Sequence, residues 1–300
     1  MMITNVARRA WLAGALLLCA CANPETSSSP DAGDAGADGT ASDAGPAPAA
    51  DTGAEASAHD AAPPPVDSSI ALPSGTPPTV LLDGARLAAL QKELSEGGSA
   101  AQKAAFQNLI AAADSALGAG VWSVTDKAAD FVANGDPHEY ASWGPYWWPS
   151  DANPPSVAGT VSKCPYVNHD GIRNPNVDKI TDRHGLHASS EAILELALAW
   201  YFTGNTAYAD QAERVARAWY LDPATAMKPD MAYAQQHGPC GVGNAAGLIE
   251  ASGGYMTDAL DGLAILSLDA RANGWSPDDQ AGLKTWMTKF LDWLKASSAT

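Results

Sequence analysis

The change of composition near residue 70 is the feature that most constrains what this chain can fold into. Between Ala22 and Ile70 the sequence is mostly Ala, Asp, Ser, Pro and Gly, with nine acidic residues and no Lys or Arg. Such a segment cannot bury enough apolar area to offset the entropy of ordering, and its like charges extend it. We therefore predict a disordered acidic linker over residues 21–77 and a folded domain over residues 78–300.

The first twenty residues are typical of an export signal. Arg8 and Arg9 form a short basic region, and the apolar run from Trp11 to Leu18 is too short to span a bilayer. The small residues before Cys21 resemble those that precede a lipidated cysteine in bacterial lipoproteins. We predict a lipoprotein-type signal peptide over residues 1–20 and lipidation of Cys21, with an ordinary cleavable signal as the alternative. The protein would then lie in the periplasm or at the cell surface, and would contact a membrane only through this lipid.

Net charge restricts the partners of the folded part. The nine acidic residues of the linker and the two arginines of the signal leave −10 of the net charge of −17 to residues 71–300. A domain this acidic has no basic stripe that could neutralise phosphates. The sequence therefore argues against nucleic acid as a partner, and an anionic ligand would need a few local cations and amides to hold it.

Helical signals fill most of the folded part. Asp83 and Ser99 are placed to cap two helices, which end before Gly97 and near Gly118. Further helices are predicted over Ser189 to Thr203, with Gly204 after it, over Thr206 to Trp219, over Met256 to Ala272, and from the capping residue Ser276 onward. Because no alternating β pattern competes with these signals, the predicted fold class is all-α, built of helical hairpins.

Two long irregular loops, at about 119–186 and 222–247, are predicted between the helices. Each contains one cysteine, Cys164 in the first loop and Cys240 in the second. In an exported protein these two residues either form a disulfide that joins the loops or stay reduced. Their spacing does not decide between the two states.

The first loop contains a cluster of aromatic residues. Five of the nine residues from Tyr140 to Trp148 are aromatic, although aromatics make up 7% of the chain. A helix or a central strand is disfavoured here by Gly144 and Pro145 in this stretch and by Pro137 and Pro149 on either side of it. Flat Trp and Tyr faces stack on sugar rings with little loss of rotamer entropy. We predict a carbohydrate platform formed by Tyr140, Tyr146, Trp147 and Trp148, and the alternative is that these rings cover the core.

Polar and ionisable side chains extend this candidate site. The further candidates for substrate binding are Arg173, Asn174, His184, Gln235 and His237. Loops on a helical scaffold commonly carry such residues. Asn176 and Asp182 are predicted instead to be structural, Asp182 as a helix cap. His184 and His187 have zinc-like spacing but no third ligand at a recognisable distance, so we predict no metal and no cofactor.

Several motifs, taken in order, resemble the alginate lyase domain family. They are Gly144-Pro145-Tyr146-Trp147-Trp148-Pro149, Pro165-Tyr166, Asp170-Gly171 with Asn174-Pro175, Leu196 to Tyr201 with Thr203-Gly204, Tyr233-Ala234-Gln235, and Trp293-Leu294-Lys295-Ala296-Ser297. The similarity runs from about Pro78 to the C-terminus, and the ordered set is specific although each piece alone is not. The resemblance implies an (α/α) toroid of helical hairpins with a cleft for an acidic polysaccharide.

The resemblance also implies a polysaccharide lyase that cleaves a uronate polymer such as alginate by β-elimination. In this reaction the substrate carboxylate is neutralised, a base removes the neighbouring C5 proton, and an acid protonates the leaving oxygen. In the family an Asn-His pair and a Tyr, with Arg nearby, act downstream of the Trp-Leu-x-x-Ser motif that lies here at the C-terminus. We therefore expect a C-terminally incomplete toroid with the binding half of the cleft and unknown catalytic residues. Asn168-His169 does not match the catalytic position.

Two other classes of function stay open at this point. One is a surface lipoprotein that binds acidic glycans without cleaving them. The other is a glycoside hydrolase on a similar toroid, which would use two carboxylates such as Glu139 and Asp170. The expected partner is an acidic polysaccharide, and the expected oligomeric state is a monomer.

Overall fold

Helices make up most of the computed structural model, which describes residues 71–150, 164–241, 250 and 255–297. The helices are α1 Gly84–Ser95, α2 Ala100–Gly118, α3 Asp182–Thr203, α4 Thr206–Ala216, α5 Tyr255–Leu266 and α6 Pro277–Ala296. This helical content agrees with the predicted all-α class. Within those ranges no helix has both the length and the apolar character that crossing a bilayer requires. The predicted signal peptide, Cys21 and the linker as far as residue 70 lie outside the described residues.

The ends of the helices follow the predicted capping signals. Asp83 accepts a hydrogen bond of 3.0 Å from the Arg86 N–H at the start of α1. Ser99 and Ser276 each form a capping box, at the starts of α2 and α6. Gly204 ends α3 in the left-handed conformation with φ 71°. These caps confirm the sequence signals from which the helices were predicted.

The start of α3 differs from the prediction. The helix begins at Asp182 rather than at Ser189, because buried polar residues in its first turns obscure the apolar periodicity. Thr181 is the N-cap residue, so the capping role predicted for Asp182 is wrong. Asp182 is structural in another way, since its fully buried carboxylate faces the interior.

Helix α3 forms the centre of the fold and packs against α2, α4 and α5. Its contact with α5 is close because Gly262 has no side chain. A Cβ at Gly262 would lie 2.8 Å from the Ile193 carbonyl oxygen. Near the start of α3, a Cβ at Gly185 would lie 2.9 Å from the Trp219 ring, which belongs to a π-helical turn, Arg217–Leu221, that continues α4. These two glycines allow α5 and the π-helical turn to pack closely against α3.

Four short strands lie in the two loops, where the sequence predicts no regular structure. Strand β1 Ala141–Trp143 pairs in parallel with β4 Tyr233–Gln236, and β2 Trp147–Pro149 pairs in antiparallel fashion with β3 Tyr166–Asn168. The prediction that these loops are wholly irregular is therefore wrong. Strands of three or four residues are too short for alternation to appear in a sequence. The β1–β4 pairing brings the two loops together.

A disulfide also joins the two loops. Cys164 and Cys240 are bonded, with their Cα atoms 5.5 Å apart. Of the two states that the sequence leaves open, the structure has the disulfide. Next to it, Gly238 has φ 62°, and a Cβ there would lie 2.4 Å from the Tyr166 ring, so only glycine fits. The part of the second loop at Gly238 and Cys240 is thus held against β3.

An ionic network links α4 to the connection between α5 and α6. Glu213, whose side chain is 1% exposed, lies 3.5 Å from both Arg217 and Arg271. Burial, and then a hydrogen bond with Asp269, raises the pKa of Glu213 to about 7. Burial alone would raise the pKa of Asp269, but hydrogen bonds from Arg271 outweigh this effect and lower the pKa. The two carboxyl groups therefore share a proton near neutral pH.

This shared proton predicts a dependence of stability on pH. The folded pKa of Glu213 lies above its ordinary 4.5, so its contribution to stability is full below 4.5 and is lost as the pH rises through about 7. Glu213→Gln can still donate to Asp269 but cannot ionise. We expect its free energy of unfolding to improve relative to the parent protein across this window, as measured by denaturant unfolding at several pH values.

Asp210→Asn is the control for this prediction. Asp210 contacts Arg271 at 2.7 Å in the same network, but its side chain is 45% exposed. We expect this variant to keep the parent's fall in stability as the pH rises through about 7, because the Glu213 carboxyl is still present. The same fall in Glu213→Gln would contradict the shared proton.

Candidate functional site

The turn between β1 and β2 presents the exposed rings of the first loop. The Gly144 N–H donates to the Gln236 carbonyl at 2.8 Å, and the Trp147 N–H donates to the Gly144 carbonyl at 3.3 Å. The Trp147 indole lies against Gly144, where a Cβ would be 2.7 Å from its Cδ1 atom. Tyr146 at the tip of the turn is 38% exposed. Glycine at position 144 thus allows the indole to lie close to the backbone.

Trp147 and His237 form a stacked pair between the two loops. Their ring centroids are 3.4 Å apart and their planes differ by 15°. Both residues are half-buried, and burial lowers the pKa of His237, so its imidazole is neutral at pH 7. We call this pair the aromatic stack. Flat partly exposed rings of this kind can contact the C–H face of a sugar.

Two residues that the sequence predicts at the ligand surface lie beneath the turn instead. Trp148 is 4% exposed, and its indole N–H donates to the Ile172 carbonyl at 2.8 Å. Asn174 is fully buried, and its amide N–H donates to the Trp147 carbonyl at 2.8 Å. In this arrangement both side chains support the turn rather than face a ligand. Adjacent residues of a strand point to opposite faces, which accounts for one half-buried and one buried tryptophan.

A buried carboxylate, Glu250, connects the elements below the aromatic stack. It is 3% exposed and accepts hydrogen bonds from the Tyr140 hydroxyl, from Ser142 Oγ at 3.0 Å, and from Gln235 Nε2. The Arg183 Nε atom lies 3.7 Å from Glu250 Oε1. We call these contacts the Glu250 network. Glu250, Ser142 and Arg183 are absent from the sequence-predicted site, because an isolated Glu, Ser or Arg carries no local signal.

The network explains the positions of Tyr140 and Gln235. Tyr140 is fully buried, and burial together with Glu250 raises its pKa well above the ordinary value, so it supports the site and does not face a ligand. Gln235 has φ 53°, an uncommon conformation for a residue with a side chain. Its backbone N–H donates to Ser142 Oγ at 2.9 Å, and its half-buried side chain reaches Glu250. Strain of this kind is typical of functional sites.

An ion pair between Lys127 and Asp182 fixes β1 against α3. Lys127 Nζ lies 2.9 Å from Asp182 Oδ2, and both side chains have 0% exposure. Lys127 also donates to the carbonyls of Val124 and of Pro137, the latter at 2.8 Å. The Ala141 N–H donates to Asp182 at 2.8 Å. Burial raises the pKa of Asp182 to about 6, although Lys127 opposes the shift.

Arg173 and His184, the remaining predicted residues, lie at the surface. Arg173 pairs with Asp178 at 2.6 Å, and this hydrogen bond raises the pKa of the guanidinium. His184 is exposed on the first turn of α3. The rings of His187 and Tyr255 meet nearly at right angles, with centroids 4.2 Å apart. Across the ranges that the structure describes, no three His, Cys, Asp or Glu side chains converge as metal ligands.

The fold and the site define a mostly helical protein with a surface of aromatic and ionic side chains on two joined loops. The sequence profile of the alginate lyase family matches residues 123–300. The crystal structure of an alginate lyase from Bacteroides ovatus is similar, with a TM-score of 0.60 and 32% identity, over 71% of this chain and 52% of that chain. No curated protein matches.

The chain belongs to the alginate lyase family, as the ordered motifs predict. It spans about half the length of the Bacteroides ovatus enzyme, at 52% of that chain. The aromatic stack and the Glu250 network both lie within the matched residues, 123–300.

Proposed function

We propose that the protein acts as a polysaccharide lyase on a uronate-containing polysaccharide such as alginate, by β-elimination. Its two loops would form the glycan-binding half of a cleft in an (α/α) toroid. The observation that carries this proposal is the aromatic stack of Trp147 and His237, which lies close to Gln235 and the Glu250 network. Membership of the alginate lyase family and the similarity to a bacterial alginate lyase support it.

The surface offers the contacts that an acidic sugar chain requires. The aromatic stack and Tyr146 supply flat apolar area for sugar rings. Arg183, His184 and Gln235 supply polar groups for hydroxyls and carboxylates. Residues 71–300 carry a net charge of −10, so an anionic chain depends on such local groups to remain bound.

The proposed reaction consumes no water. A base removes the C5 proton of the uronate, the C4–O bond breaks, a C4=C5 double bond forms, and an acid protonates the leaving oxygen. Neutralisation of the substrate carboxylate makes the C5 proton acidic enough to be removed. We assign no base or acid among the described residues, and we propose that they bind and orient the substrate.

Incubation with alginate tests the proposal. Ultraviolet absorbance of the unsaturated uronate product should rise with time. New reducing ends without this absorbance would mean hydrolysis, and binding without either product would favour the alternative, a non-catalytic acidic-glycan-binding surface lipoprotein. Hydrolysis has little support, because Glu139 is 6% exposed and is held by Lys228 at 2.6 Å.

We also propose that the protein is exported and anchored by a lipid at Cys21, as a monomer. The basic and apolar regions before Cys21 and the acidic linker after it support this proposal. Cys21→Ser should release the protein from membranes when cells are fractionated. Retention of this variant on membranes would contradict lipid anchoring.

The two adjacent tryptophans give a prediction with an internal control. Trp147→Ala removes half of the aromatic stack, and we expect affinity for alginate oligosaccharides to fall at least about tenfold. Trp148→Phe removes the buried indole N–H and part of the buried ring, and we expect a loss of about 1–3 kcal/mol of stability with unchanged affinity. Isothermal titration calorimetry and denaturant unfolding measure the two quantities. Equal affinity losses in both variants would mean that Trp147 has only a structural role and does not contact the glycan.

A further inference from the structure

We propose that Glu250 is a positioning residue, which holds Arg183 and Gln235 as a subsite for one uronate unit of the glycan. The inference rests on the proposed function and deepens it. It assigns the sugar carboxylate to Arg183 and a neighbouring sugar hydroxyl to Gln235. Arg183 and Glu250 have no place in the sequence-predicted site.

The two oxygens of Glu250 have different kinds of partner. Oε2 accepts from Tyr140 and Ser142, which are 0% and 3% exposed. Oε1 contacts Gln235 Nε2 and Arg183 Nε, and both of these residues are half-buried. The carboxylate therefore joins two buried side chains to two half-buried ones. Its hydrogen bond fixes the Gln235 amide, and its charge attracts the Arg183 guanidinium, which lies beyond hydrogen-bond distance.

The orientation of Arg183 leaves its fork available. Its Nε atom faces Glu250 at 3.7 Å, and its side chain is 36% exposed. Among the described residues, its two Nη atoms make no hydrogen bond. A guanidinium fork matches a carboxylate in a bidentate manner, which a point charge does not. Asp178, an acid whose pKa Arg183 helps to lower, is already held by Arg173 through two hydrogen bonds.

The orientation of Gln235 supplies the second contact. Because its Nε2 atom donates to Glu250, its side-chain carbonyl oxygen is not engaged by that carboxylate and can accept from a hydroxyl. Backbone contacts fix this residue further, since its N–H donates to Ser142 at 2.9 Å. The Trp147 indole lies against Gly144, where a Cβ would be 3.6 Å from the backbone carbonyl of Gln235, so the aromatic stack is close to the Gln235 backbone. In this proposal a sugar ring lies on the stack, and its carboxylate and a neighbouring hydroxyl bind Arg183 and Gln235.

The variant Glu250→Gln shows whether Glu250 affects glycan binding by positioning its partners or only by its negative charge. If Glu250 acted only by its negative charge, its neutralisation would strengthen the binding of an anion. If it positions Arg183 and Gln235, the same variant should weaken binding. Calorimetry with an alginate oligosaccharide and with its carboxyl-reduced, neutral counterpart gives the two affinities needed.

We expect Arg183→Ala to lose at least about tenfold in affinity for the acidic oligosaccharide and little for the neutral one. Glu250→Gln should lose affinity for the acidic ligand in the same selective way, and Glu250→Asp should recover part of it. Asp261→Asn is the matched control, because Asp261 is also a buried carboxylate but accepts from the backbone of residues 80–82. It should change stability without changing the ratio of the two affinities.

The results that overturn the inference are distinct from those that overturn the proposed function. Tighter or unchanged binding of the acidic ligand by Glu250→Gln overturns the inference, and so does an equal loss for both ligands. If the parent protein binds neither oligosaccharide, the proposed function fails and the subsite fails with it. Circular dichroism and unfolding of each variant confirm that the compared proteins are folded.

Discussion

Lys127→Met is expected to lower the free energy of unfolding by about 3–5 kcal/mol. The substitution leaves Asp182 buried without its cation, and Asp182 Oδ1 already has no hydrogen-bond partner among the described residues. An unpaired carboxylate in the interior costs more than the ion pair itself contributes. Denaturant unfolding of both proteins at neutral pH measures the difference.

The expected loss depends on pH in a definite direction. The pKa of Asp182 is about 6 in the parent protein and 3.8 ordinarily, so its protonated form is favoured on folding. Its contribution is full below 3.8 and is lost as the pH rises through about 6. Removal of Lys127 raises the folded pKa further, so the difference between Lys127→Met and the parent should shrink as the medium is acidified.

The double variant Lys127→Met with Asp182→Asn is the control for this mechanism. The Asn oxygen can still accept from the Ala141 N–H, and no buried charge remains. We expect it to be more stable than Lys127→Met alone, which gives a favourable coupling energy between the two positions. If the stability losses of Lys127→Met and Asp182→Asn simply add in the double variant, the loss in Lys127→Met comes from packing. An unpaired buried charge is then excluded as its cause.

The sequence predicts the helices well because their signals are local. Asp83, Ser99 and Ser276 each cap the helix that follows within a few residues, and Gly204 ends α3. The strands carry no such signal, since β1 and β4 are three and four residues long and lie about ninety residues apart. Their pairing depends on the tertiary fold, which residue spacing does not reveal.

In the candidate site, too, the sequence predicts what has a local signal and misses what depends on the tertiary fold. Aromatic composition indicates that rings matter between Tyr140 and Trp148, but it does not say which ring is outside. The structure places Trp147 in the aromatic stack and Trp148 in the interior. Glu250 and Arg183 could not be predicted, because their importance arises only where a buried carboxylate meets partners from β1, β4 and α3.

Removal of the disulfide is the second change with a large expected effect. Cys164 and Cys240 are separated by 76 residues, so the bond closes a long loop that contains α3 and α4. In the chain-entropy account, closing a loop of this length stabilises the fold by about 4 kcal/mol. We expect Cys164→Ser with Cys240→Ser to lose about this much in denaturant unfolding. A reductant should destabilise the parent to a similar extent and leave the double variant unchanged.

Removal of the disulfide should also weaken glycan binding, because the disulfide lies beside both halves of the aromatic stack. Cys164 precedes β3, which pairs with the strand of Trp147, and Cys240 follows His237 in the second loop. Without the bond, the two loops are still tied by the β1–β4 pairing, by the Glu250 network and by the ion pairs of Lys228 with Asp136 and Glu139. We expect the affinity for alginate oligosaccharides to fall even where the double variant is fully folded. Unchanged affinity under those conditions would mean that the remaining contacts hold Trp147 against His237 without the disulfide.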